Sequence, residues 1–154
     1  MGVLLKTIKN QLKHSYSGTP WFGSPVKEVI AGITWQQAIA RPIANTHTIM
    51  ELLLHMLAWR KFVLERLQGN NTYNIDLNTD ADWPAQDGTE EQFNHTLKEL
   101  DRVQESLLAE LDKVSEDFLL QIVDGKEFTY NIMLQGLVQH DIYHLGQIGL
   151  LRKC

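Results

Sequence analysis

Four separate stretches of this chain place apolar residues at three- and four-residue intervals, a spacing that a helix gathers onto one face. Leu4, Leu5, Ile8, Leu12 and Tyr16 mark the first, over residues 3–16, with Gly18 as its stop. Ile49, Leu52, Met56, Trp59, Val63 and Leu67 mark the second, which Thr48 and Glu51 open as a capping box and Gly69 closes. Phe93, Leu97, Leu100, Leu107, Leu111 and Val114 mark the third, opened by Thr89 and Gln92 in the same way. Leu134, Leu137, Leu145, Ile148 and Leu151 mark the fourth, over about 131–152. Four amphipathic helices joined by polar connections predict an all-α four-helix bundle, and 154 residues make it a single domain, 1–154.

The connections refine that expectation. Residues 69–88 are polar and too numerous for the ~2–8 residues that join antiparallel neighbours, so a crossover is expected between the second and third long helices. Between the first and second, Ser24 as N-cap and Pro25 at the first helical position start a short helix ended by Gly32. Thr34 and Gln37 then open another brief helical turn. Trp21, Phe22 and Trp35 are expected to pack this connector onto the body. Leu119 to Val123 and Lys126 to Tyr130, around Asp124-Gly125, read as a small hairpin.

Charge and cysteine usage narrow the function. A net charge of −5 provides no basic face for nucleic acid. No apolar run reaches the ~20 residues that cross a bilayer, and the first residues carry no signal-peptide pattern. The single cysteine, Cys154, excludes an internal disulfide and reads as a terminal thiol, so a cytoplasmic location is expected.

The histidines carry the chemistry. His140 and His144 stand one helical turn apart within the apolar stripe of the last helix. Two imidazoles there are costly to bury unless their nitrogens find partners, and a metal ion would satisfy both. His55 is the other histidine placed to look inward, beside Leu52 and Trp59, whereas His14, His47 and His95 fall on loops or outer faces. Hydrogen-bonded core histidines are the competing reading. His140-Asp141-Ile142-Tyr143-His144 also lies one methylene from a His-Glu-x-x-His zinc peptidase motif. Only ten residues follow His144, none of them His, Asp or Glu, so a third ligand has to come from upstream.

Residues 46–60, Thr46-His47-Thr48 through His55 to Trp59-Arg60, resemble the second helix of the DinB-like (YfiT-like) family of metal-dependent enzymes. Residues 140–153 resemble that family's final helix, and Asp82-Trp83-Pro84 matches a segment many members share. The resemblance spans nearly the whole chain and implies a bundle in up-down-down-up order. It places three metal ligands on His55, His140 and His144, while Arg60 stands where many members carry an acidic residue.

Three neutral histidines leave coordination positions for water or substrate, the arrangement of catalytic sites. Zinc and nickel suit imidazole best, with iron and manganese also compatible. Asp141 is a candidate general base or imidazole-orienting residue, against the alternative of a plain packing carboxylate, and Gln147 is a weaker candidate of the same kind. The resemblance implies an enzyme acting on a small molecule, as a thiol S-transferase or a hydrolase, and a homodimer. The alternative is a non-catalytic protein binding a metal or small ligand on the same scaffold.

Overall fold

The computed structural model describes residues 2–154, and every regular element among them is a helix. In order these are α1 (Val3–Ser17), α2 (Val26–Ile30), α3 (Trp35–Ile39), α4 (Ile49–Leu67), α5 (Glu90–Leu111), α6 (Glu116–Leu119) and α7 (Tyr130–Leu151). The long helices form a four-sided bundle in which α1 packs on α5 and α7, and α4 packs on the same two.

Cross-helix pairs give the directions. Lys61 meets Glu99 and Gln68 meets Glu110, so α4 and α5 run the same way. Tyr16 bonds Asp101 while Lys9 pairs with Asp112, so α1 opposes α5. His55 faces His140 and the Arg66 carbonyl accepts from Tyr130, so α7 opposes α4. The order is up-down-down-up, and the polar connection after α4 is the crossover that lets two consecutive helices point alike.

Leu12, Leu53, Leu100 and Leu134 lie at 0% exposure where the four faces meet. Burying each such side chain contributes about 1.5–3 kcal/mol before the ordering entropy is set against it. Burial on α4 extends well beyond the expected stripe, to Met50, Leu53, Leu54, Leu57 and Phe62, because α3, α5 and α7 all pack against it.

Capping explains where the helices start. Thr34 and Thr48 each complete a reciprocal capping box, with Gln37 and Glu51. At α5 only half of the expected box forms: Thr89 Oγ1 accepts from the Gln92 N–H, but the Gln92 side chain reaches back to the Asp87 N–H instead. At α2 the N-cap is Pro25, and the Ser24 hydroxyl donates to the Glu28 carboxylate at 2.6 Å.

Two further expectations are corrected. Trp21 is wholly exposed and Phe22 is 41% exposed, so of the connector aromatics only Trp35 packs on the core. The hairpin reduces to the short helix α6 and a single antiparallel bridge, Ile122 to Thr129, closed around Gly125 at φ +67°. Leu119 and Val123 are its fully buried residues, too little interior surface to build two strands. Among the described residues no helix is long and apolar enough to cross a membrane.

Candidate metal centre

α4 brings His55 and α7 brings His140 and His144 to one point between the two helices, where each offers a ring nitrogen within 4.8 Å of the others. His55 Nε2 and His140 Nε2 are 2.9 Å apart, and the rings of His140 and His144 meet edge to face with centroids at 4.5 Å. His55 and His144 are buried and His140 is half-buried. These are the three histidines that the sequence singled out, and His14 and His95 lie exposed away from them.

The outer nitrogens are held by acceptors. The His55 Nδ1–H donates to the Asp82 carbonyl at 2.7 Å, which turns the Nε2 lone pair toward the cluster. His144 Nδ1 donates to Gln147 Oε1 at 3.1 Å, which leaves its Nε2 as the lone-pair nitrogen. His140 Nδ1 is buried with no partner. At 2.9 Å the two Nε2 atoms are joined either by a proton that His140 donates to His55 or, with both lone pairs inward, by a cation between them.

Burial pushes all three imidazoles toward the neutral form. His140 falls to about 3, by burial first and then by its neighbours His144 and His55. His55 is lowered by burial against the opposing pull of Asp82, and His144 by burial against its hydrogen bond to Gln147. Neutral imidazole is the form that binds metal, so the donor set, its neutral charge and the tautomers of His55 and His144 fit a divalent ion.

Asp82, whose segment the sequence matched only by resemblance, is a structural partner of the cluster. It is 3% exposed, accepts the Trp59 indole N–H on Oδ1 at 2.8 Å and accepts the Asn78 N–H on Oδ2 at 2.9 Å. Trp83 lies flat on His55, with centroids 3.8 Å apart, and His47 lies flat on its other face at 3.7 Å. His47, discounted from the sequence, therefore forms the outer layer of a three-ring stack over one ligand candidate. A tryptophan beside a proline in a polar connection was the available signal.

Asp141 looks away from the imidazoles. Its Oδ2 accepts from Arg60 Nε at 3.0 Å and from Arg60 Nη2 at 2.8 Å, while Oδ1 has no partner. Burial pushes the Asp141 carboxyl up from its ordinary value, and the Arg60 guanidinium opposes that shift. Arg60 itself is 0% exposed, donates to Gln104 Oε1 at 2.8 Å and covers the Tyr16 ring at 4.7 Å. The pair ties α4 to α7 within two turns of all three histidines. The sequence offered Asp141 as a candidate base or imidazole-orienting residue; the structure gives it to Arg60 instead, a pairing that nothing in the sequence indicated.

Three histidines so placed could hold a metal ion. Searches of curated proteins and of solved structures found no match to this chain. The sequence model of the DinB superfamily matches residues 26–148, a span that includes α4, the crossover, α5 and all three clustered histidines. On that match, which covers most of its length, the chain belongs to the DinB superfamily.

Proposed function

We propose that this chain is a divalent-metal-dependent enzyme acting on a small molecule, as a thiol S-transferase or a hydrolase. The observation that carries this reading is the convergence of three neutral imidazoles beside an open apolar cavity, with His140 part of both. His55, His140 and His144 would hold the ion, and zinc or nickel suits that donor set best. When bound, the ion supplies Lewis-acid chemistry, activating a water or thiol nucleophile or polarising an electrophile.

The chain's own residues do the rest. Asp82 and Gln147 fix the tautomers of His55 and His144, so each presents a lone pair without reorganising. Trp83 and His47 roof His55 and keep water off its ring. Asp141 is assigned a positioning role: bound to Arg60, it holds α7 in register with α4 and hence His140 and His144 against His55.

The test is consumption of a panel of electrophiles and esters, with and without a low-molecular-weight thiol, by metal-loaded and metal-free protein. A rate that needs both metal and thiol supports the transferase, and one that needs metal alone supports the hydrolase. No metal-dependent rate across the panel would replace the enzyme with a metal-binding protein.

A further inference from the structure

Beside the histidine cluster, α4, α7 and the turn before α7 enclose an open cavity of about 320 Å³, at the small end of ligand-site volumes. Its walls are Trp59, Phe62 and Val63 from α4, Phe128 from the turn, and Met133 and Leu137 from α7. Only Trp59 and His140 bring polar side-chain atoms to the lining, and the Trp59 N–H is already donated to Asp82. Two cations stand over the Phe62 ring, but Lys126 is held by Asn74 and Arg66 by the Asn71 carbonyl. A charged group inside this cavity would lose water with nothing to replace it.

The floor has its own message. Gly136 lines the cavity one turn before His140, and a Cβ built on it meets nothing within 4 Å. Glycine inside a helix is destabilising relative to alanine, so this position gives up stability while leaving space beside a ligand candidate.

Resting on the metal-dependent reading above, we propose that this cavity takes the non-reacting part of the substrate as a neutral alkyl or aryl group. Gly136 keeps it open. The reacting atom then lies at the His140 end, where the lining passes from carbon to imidazole. A substrate whose tail carries a carboxylate or phosphate is selected against by the same walls.

The experiment measures, by NMR titration, binding of 1-butanol, 1-hexanol and benzyl alcohol to protein purified with its metal. It compares hexanoate with hexanol on the same protein after the metal is removed, so that a carboxylate held by the ion is not counted. The proposal expects affinity to rise about fourfold per methylene from butanol to hexanol. It expects hexanoate to bind at least about tenfold more weakly than hexanol. Gly136→Leu should lose hexanol binding while keeping wild-type helix content and metal content, and Gly136→Ala should keep most of it. Hexanoate binding as tightly as hexanol overturns the proposal. So does a folded Gly136→Leu that binds hexanol like wild type, or an alcohol series that does not bind at all. A failed metal reading registers separately, as a protein without bound ion that still binds the alcohols.

Discussion

Replacing Asp141 with asparagine isolates what the Arg60–Asp141 pair contributes. In the folded protein the guanidinium is 0% exposed and makes two of its hydrogen bonds to one carboxylate oxygen, at 3.0 and 2.8 Å. Unit charges ~4 Å apart attract by about 4 kcal/mol at an effective dielectric of ~20. Neutralising the carboxylate forfeits that attraction and leaves the cation buried, with only neutral amide oxygens, those of the asparagine and of Gln104, to accept from it. The expected cost is about 3–5 kcal/mol, the range for breaking one side of a buried pair. In a domain of this size that is a fall in Tm of roughly 10 °C.

Urea unfolding of wild type, Asp141→Asn and the double variant Arg60→Met/Asp141→Leu reads it directly. The double variant should recover most of the loss, because it removes the desolvated charges together. Its metal affinity should still fall if the pair sets the register of α4 and α7. An Asp141→Asn variant within about 1 kcal/mol of wild type, well below the buried-pair range, would refute the reasoning. A double variant no better than the single would do the same.

Further outcomes follow from other contacts. Asp82→Ala removes the acceptors that hold Trp59 and the Asn78 N–H, loosening the carbonyl on His55, and should weaken metal binding about 10- to 100-fold in a competitive chelator titration. In metal-free protein the clustered histidines have folded pKa values below their unfolded ~6.5, so the stability they contribute is complete above that pH and lost as pH falls through the window toward about 3. Urea unfolding should therefore show the apo protein weaker at pH 5 than at pH 7, by up to about 2 kcal/mol from His140, and a flat profile would contradict the burial of these rings. Trp21→Ser should change stability by less than about 0.5 kcal/mol in the same assay, since the indole is fully exposed.

The parts legible in the sequence are those set by local periodicity. The long helices, the Thr34 and Thr48 capping boxes and the inward face of His55, His140 and His144 all follow from residues a few positions apart. The crossover followed from the length of one polar connection. What was illegible depends on partners distant in the chain. Arg60 and Asp141 are 81 residues apart, and although Asp141 stood out beside the histidines, neither residue alone names the other as its partner. Asp82 gains its meaning only when the connection folds back 27 residues onto His55. Trp21 misled because an aromatic in a connector predicts burial by composition, while the chain around it supplies no surface to cover it.

The central claim is that His55, His140 and His144 hold a divalent ion. It is tested most directly by metal analysis of protein purified without added metal or an affinity resin, alongside His55→Ala and His144→Ala. The expected result is about one ion per wild-type chain, lost in both variants while helix content is kept. Full occupancy in both variants, or a wild type that binds no divalent ion even when it is supplied, would contradict it.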